Sequence, residues 1–522
     1  MRRASMLALV AAGLLAAACG NGETILNAGN EPATTLPVEA PATLPPVDTL
    51  APGDTLAPGE TVPPDDTRPP STTLPPPTTT TIPLADLAEC PVDALDEGSG
   101  TVELTLWHGL NAESETALTK LTDAYNASQS EVRVELQNQG NYSQTIDKYV
   151  QSSQGSRPDV VIFPEYVVQQ TADSDSVIPV AACVEESGYD TSTFQPSTLT
   201  AYSTAGVQWG MPLGVSNPVL YYNKLVFEAA GLDPEIPPRS LDEVRQFSQQ
   251  IVDSGAASYG IAVDSGTDSG GGWFLEQWLA NEGELYADNG NGRLAPATRV
   301  LYDQPPGVEL LTYVQQLITD GLAFNVGDNA GGTDTFFKLA DESAPAAMTI
   351  GTSAALGTVI AALGGGLIPG LTVDDIGVGA MPGPGPTPTA LVGGNALFIV
   401  KDKGDEKAAA AWDYITYAVS PEAQSQYVTD TGYAPVRADA LDVEPALSKY
   451  ASDPRFRVAY DQLIASPDDP ALQGPILGPQ REVRGVTARA VAEIFNGGDV
   501  QAALSAAATQ ANLLIADYAA RN

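Results

Sequence analysis

From about Val102 onward, apolar residues switch repeatedly between a period of two and a helical period, and this alternation limits the chain to very few architectures. Val102, Leu104 and Leu106 alternate with Glu103 and Thr105; Leu118, Leu121 and Tyr125 recur at helical spacing; Val132, Val134 and Leu136 alternate again. Asp159 to Phe163 is a short continuous run of the buried-strand type. Strand, helix and strand in succession predict a mainly parallel sheet with helices on both faces. Farther along, Glu406 to Val419 predicts a helix with Trp412, Ile415 and Val419 inward, and Ser420, Pro421 and Glu422 supply the N-cap, first-turn proline and acidic start of the next. The apolar stretch from Ala354 to Val373 carries Gly364, Gly365, Gly366 and Pro369, so it predicts a helix and a turn rather than a membrane span.

The chain begins differently. Arg2 and Arg3 precede an apolar run from Met6 to Ala18, shorter than the ~20 residues a bilayer span needs, and Cys19 follows three alanines. This predicts a lipoprotein signal over residues 1–19 with Cys19 as the lipidated residue, although Ala16 stands where leucine is usual. Simple cleavage and a short anchor are the alternatives. Residues 20–87, with TLAPGDTLAPGET and RPPSTTLPPPTTTTIP, read as a Pro/Thr-rich disordered tether, extended at about 3.1 Å per residue. The expected location is the extracytoplasmic face of the cell membrane, by a lipid anchor.

With 24 Lys+Arg against 65 Asp+Glu, a formal net charge of −41, nucleic acid and anionic lipid are unsuitable partners. Of three cysteines, Cys90 and Cys183 remain after Cys19; in an oxidising compartment they read as a disulfide, with two buried free thiols as the rival reading. Neither belongs to a C-x-x-C pair, and His108 is the single histidine, so no metal is predicted and no cofactor is expected. His108 follows a strand end and reads as a structural imidazole.

Residues 211–238, MPLGVSNPVLYYNKLVFEAAGLDPEIPP, carry the most specific pattern. Pro218 opens the β-branched and aromatic run Val219 to Tyr222, Asn223 and Lys224 close it, and the helix formers from Leu225 to Ala230 are stopped by Gly231 and then Pro237 and Pro238. The segment resembles the interlobe region of family 1 extracellular solute-binding proteins of ABC importers, most closely the sn-glycerol-3-phosphate-binding branch. The likeness runs from about Thr101 to the C-terminal helix. It implies an α/β fold of the periplasmic-binding-protein type II class, two lobes joined by a multi-crossing hinge with a ligand cleft between them. On that reading residues 88–213 plus 347–392 form the first lobe and 214–346 plus 393–522 the second, with crossings near Leu213, Ala347 and Gly393.

In open α/β sheets ligands sit at the carboxyl ends of strands, which directs attention to the loops there. Carried over motif by motif, the resemblance implies a ligand set of Tyr142 in the G-N-Y loop, Glu165 after a strand, Ser216 before Pro218, Thr352 with the adjacent Ser353, Gly394 of the G-G pair, Tyr433 of T-G-Y-x-P, and Arg484. Of two tryptophans flanking the ligand in relatives, one matches Trp273; Gly270 takes the other position, which predicts a wider pocket. Tyr142, Glu165 and Thr352 are expected on the first lobe and Ser216, Gly394, Tyr433 and Arg484 on or near the second, so that binding closes the hinge.

A guanidinium fork with neutral hydroxyl and amide donors suits a phosphate ester, Glu165 suits glycerol hydroxyls, and the Trp273 face suits glycerol carbons or a choline-like cation. Each has a plainer reading: surface-capping tyrosines, a core tryptophan, an Arg484–Glu482 ion pair. The expected function is therefore capture of glycerol 3-phosphate or a glycerophosphodiester by a monomeric binding protein that delivers it to a membrane permease. A neutral di- or oligosaccharide is the alternative ligand. A secreted glycosidase is the enzyme alternative, but no carboxylate pair stands out among the acidic residues. There is no G-x-S-x-G elbow and no Walker motif, so neither a serine hydrolase nor an ATPase is expected.

Overall fold

The computed structural model describes residues 83, 87–95, 100–329, 332–385 and 388–522. The signal segment, Cys19 and all but two positions of the expected tether lie outside the described residues. In chain order the strands are β1 (Val102–His108), β2 (Val132–Asn138), β3 (Val160–Pro164), β4 (Val177–Ile178), β5 (Met211–Ser216), β6 (Pro218–Asn223), β7 (Tyr259–Val263), β8 (Ala323–Asn325), β9 (Ala346–Thr352), β10 (Ile376–Ala380) and β11 (Gly393–Val400), apart from a small ribbon at Ser203–Thr204 and Val207–Gln208.

Two sheets result. The first has the order β2-β1-β3-β11-β4, with β5 also paired to β11; the second has the order β8-β7-β9-β6-β10. The expected parallel core is present in both, as β1 runs parallel to β2 and β3, and β7 to β8 and β9. Antiparallel members complete each sheet: β11 against β3, β4 and β5, and β6 against β9 and β10. These are the strands that enter from the other lobe's side of the chain, and no local pattern in the sequence fixes their direction. The fold is thus two α/β lobes, as the resemblance implied.

The lobe boundaries differ from those expected. Residues 347–392, assigned to the first lobe, supply β9 and β10 to the second sheet, and β11, assigned to the second lobe, is central to the first. The chain passes from β5 to β6 through Asn217 alone, returns between β10 and β11, and leaves again after the short helix Ala438–Asp442; it makes no crossing near Ala347. Both β9 and β11 are short, largely apolar strands, of seven and eight residues, and only register with β6 or β3 shows which sheet each joins.

Each lobe has its own apolar core. In the first, Leu104, Leu106, Leu118 and Tyr125 meet Trp412 and Ile415 of the helix Asp405–Ala418, which places the predicted inward face of that helix against β1. Ser420 caps the helix Pro421–Thr431 by accepting from the Ala423 amide at 3.3 Å, with Pro421 in its first turn. In the second, the helices Pro305–Thr319, Gln480–Phe495 and Val500–Ala519 bury Leu311, Val491 and Leu504 together. The segment from Ala354 becomes the helix Leu356–Gly364 followed by turns. None of the helices among the described residues is long and apolar enough to cross a membrane.

Cys90 and Cys183 are joined by a disulfide across a separation of 93 residues, both buried in the first core. Closing so long a loop restricts the unfolded chain strongly. Replacing both with serine should lower unfolding stability by about 2–5 kcal/mol, read as a shifted chemical-denaturation midpoint; an unchanged midpoint would show that packing alone holds the Cys90 segment.

Candidate functional site

The hinge strand β5 ends at Ser216, and β6 begins two residues later. Asn217, fully buried between them, donates from Nδ2 to the Ala459 carbonyl at 2.9 Å and accepts on Oδ1 from Gln462 Nε2 at 3.3 Å. The Ser353 amide donates to the Asn217 carbonyl at 2.9 Å, and Asn217 returns its own amide to Ser353 Oγ at 3.4 Å. Ser353 is thereby a buried hinge residue. Thr352 Oγ1 accepts from the Ala354 amide at 3.3 Å and so caps the turn that follows β9.

Above this hinge, residues from both lobes converge. Asn141 caps the helix Tyr142–Gln151 in a capping box with Gln144, and this fixes Tyr142 at the first helical position. Gly432, at φ 100°, ends the helix Pro421–Thr431 and turns the chain so that Tyr433 enters the same space. The Tyr142 and Tyr433 hydroxyls lie 3.5 Å apart, and Asn395 Nδ2 donates to both, at 3.0 and 3.2 Å. Burial raises the Tyr142 phenol well above its usual value, with Tyr433 adding to the effect and the Asn395 hydrogen bond opposing it, so the hydroxyl keeps its proton. Gly394 adopts φ 106°; a Cβ there would meet the Gly214 carbonyl oxygen at 2.0 Å, so the glycine permits close approach of β11 and β5.

Arg484 comes from the second lobe, at the start of the second turn of Gln480–Phe495, and is 4% exposed. Its Nε and Nη2 donate to Glu276 at 2.8 and 2.7 Å, and Nη2 also reaches Glu165 of the first lobe at 3.1 Å. Asp268 is 4.0 Å from Nη1, and the guanidinium lies over the Tyr166 ring at 4.8 Å. Glu276 also accepts from Gln480 Nε2 at 2.6 Å. The fork expected to pair two phosphate oxygens is therefore occupied by a buried carboxylate, and Glu482 is not its partner. Burial pushes Glu165 up to about 7, from 4.5, against the pull of Arg484. At the rim, Arg481 pairs with Asp147 at 2.6 Å and Tyr518 donates to Asp173 at 2.8 Å, two more bridges between lobes.

The expected distribution between lobes is corrected accordingly. Tyr142, Glu165, Ser216, Gly394 and Tyr433 belong to the first lobe; Thr352, Ser353, Trp273 and Arg484 to the second. Trp273 starts the helix Trp273–Asn281, and its ring fills the space where a Cβ on Gly393 would lie, 2.4 Å from Cζ2, so it packs across the lobe junction. Gly270 does not enlarge the cleft: its amide donates to Asp264 Oδ1 at 3.1 Å, and a Cβ there would stand 2.0 Å from the Asp264 carbonyl oxygen. The glycine serves the tight loop around Asp264. Asn395 and Glu276 escaped the sequence reading. Asn395 directly follows the G-G pair, a signal that was available, whereas Glu276 sits in an apolar helix and becomes notable only once Arg484 is placed beside it.

These features define a class. The model of the bacterial extracellular solute-binding protein family matches residues 120–458, and the chain belongs to that family, as the substrate-binding component of an ABC importer. Among curated relatives, the sn-glycerol-3-phosphate-binding periplasmic protein UgpB of Shigella flexneri serotype 5b is 25% identical over 424 residues, covering 79% of this chain and 92% of that protein. Among solved structures, UgpB from Mycobacterium tuberculosis in complex with glycerophosphocholine superposes with a TM-score of 0.65 at 21% identity, over 80% of this chain and 99% of that one. The cyclic alpha-maltosyl-1,6-maltose binding protein of Arthrobacter globiformis gives 0.63 at 22% identity, over 80% and 99%. The relatives are solute-binding proteins, not enzymes.

A carboxyl whose folded pKa is raised favours folding while protonated. That contribution is complete below 4.5 and is lost as pH rises through about 7. Glu165→Gln should therefore match the parent chain in stability at low pH and become the more stable of the two as pH passes 7. Urea denaturation of both chains across this range checks it; a constant difference would show that folding leaves the proton affinity of Glu165 unchanged.

Proposed function

We propose that this chain captures glycerol 3-phosphate or a glycerophosphodiester between its lobes and delivers it to a membrane permease from the extracytoplasmic face, held there through Cys19. The observation that carries this reading is the placing of two unlike polar groups side by side where the lobes meet, with Asn395 across the ladder from Pro164, the residue before Glu165. One is the neutral hydroxyl and amide cluster of Tyr142, Tyr433 and Asn395, with Ser216 and Gly394 beside it. The other is the Glu165–Arg484 pair that joins the lobes.

Neutral donors suit a phosphate without adding a counter-charge, and a carboxylate beside a guanidinium suits vicinal hydroxyls, each of which donates to one and accepts from the other. This assigns Arg484 to the glycerol end rather than to the phosphate, because Glu276 already satisfies its fork. Trp273 then offers an apolar edge, and the carboxylates of Glu165 and Asp268 favour a cationic head group such as choline. The names of the relatives agree with this chemistry. Ligand contacts from both lobes favour the closed arrangement by differential binding.

The same surplus of carboxylate around Arg484 favours a second reading, a neutral saccharide whose hydroxyls Glu165, Glu276 and Asp268 accept. Isothermal titration of the full chain with glycerol 3-phosphate, glycerophosphocholine and maltose separates the two. Heat with a phosphate ester, weakened about tenfold by Tyr142→Phe through loss of one hydrogen bond, is the expected result. Heat with maltose alone would replace the phosphate reading with the saccharide one.

A further inference from the structure

Asn395 is fully buried on β11, at an irregularity of register between Asn395 and Ala396 where β11 pairs with β5. Its Nδ2 donates to the hydroxyls of Tyr142 and Tyr433, which reach it from opposite ends of the first lobe's sequence. Its Oδ1 is buried with no hydrogen-bond partner among the described residues. Across the ladder, Gly214 leaves the room: a Cβ there would lie 3.1 Å from both Asn395 Nδ2 and the Tyr433 ring. A buried amide with one end doubly used and the other end empty is costly in a packed interior, and such a residue is retained where its orientation matters.

We propose that Asn395 is a positioning residue that sets the hydrogen-bond polarity of the cleft, and hence its preference for phosphate esters over neutral polyols. The inference rests on the phosphate-ester reading given above. A phenol oxygen that accepts from the amide must direct its own O–H proton at another acceptor. The two hydroxyls are 3.5 Å apart, so one proton is spent between them; Asn395 thus leaves the pair one O–H donor directed at the ligand, which matches phosphate oxygens, groups that only accept. The reversed amide would accept from both tyrosines and leave their lone pairs to the ligand, a surface suited to the hydroxyl donors of a sugar. That orientation is disfavoured here, because it would bury two N–H donors without acceptors in place of one carbonyl oxygen.

The experiment uses the full chain and compares Asn395→Asp and Asn395→Leu with the parent, titrated with glycerol 3-phosphate, glycerophosphocholine and maltose, with thermal melts to confirm folding. Asn395→Asp accepts from both tyrosines and reverses the polarity; its affinity for the esters should fall at least tenfold while any maltose affinity holds or rises. Asn395→Leu keeps the branched outline and removes the polarity, and should also weaken the esters about tenfold. Adding Tyr142→Phe to Asn395→Leu should then cost little more, since the two changes remove one interaction. Should the aspartate variant fail to fold, the leucine variant and its double mutant decide alone. A parent chain that binds an ester which Asn395→Leu binds equally well, or losses that add in full, would overturn the role of Asn395. A parent chain that binds no ester overturns instead the reading on which it rests.

Discussion

The whole molecule turns on one residue. Asn217 is all that separates a strand of one sheet from a strand of the other, so both β5 and β6 must be in register before either lobe is complete. Its backbone and side-chain groups are satisfied by Ser353, Ala459 and Gln462. Gln462 in turn holds the second crossing, because its Oε1 accepts from the Met381 amide at 2.7 Å. Two of the three crossings are thus tied to one glutamine on the helix Arg455–Ala465. Buried amide networks of this kind specify a single arrangement, since each partner left alone would be a costly unpaired group. The lobes are thus joined at a few fixed points rather than through long linkers.

The charged centre follows a different logic. Arg484, Glu276 and Glu165 are withdrawn from water, and attraction between buried ions repays their lost hydration only with good geometry and further hydrogen bonds. Arg484 meets this with a two-point contact on Glu276, to which Gln480 adds another donor, and with the Tyr166 ring on one face. Glu165 is the less satisfied member, which is why burial moves its proton affinity so far. It is also the member from the opposite lobe. The most responsive charge in the cleft therefore stands where the lobes meet.

Much of this was legible in the sequence, and the limits have physical causes. Strands and helices whose apolar period is local were placed correctly: β1 to β3, β6, and the helices beginning at Asp405 and Pro421. Several residues of the expected ligand set sit beside local signals, such as the capping box at Asn141 and the left-handed Gly432, and the structure brings Tyr142 and Tyr433 into one contacting group and Glu165 and Arg484 into another. Lobe membership after residue 346 was not legible, because β9 and β11 are both short, mostly apolar strands whose partners are set by residues distant in sequence. Nor was the engagement of Arg484 by Glu276, a contact across 208 residues. Gly270 misled for a similar reason: a glycine reads as empty space in a sequence, yet here backbone atoms fill that space.

The Cys90–Cys183 bond has a mechanical meaning as well as a thermodynamic one. Both cysteines belong to the first lobe, and the short helix Val92–Leu95 that follows Cys90 packs on the same core. Tension arriving along the chain from the N-terminal side is taken up by a covalent cross-link before it reaches β1. The load path stops within one lobe and bypasses the Asn217 crossing. The second lobe is therefore joined to the first through its crossings and its bridging side chains, none of which lies on that path.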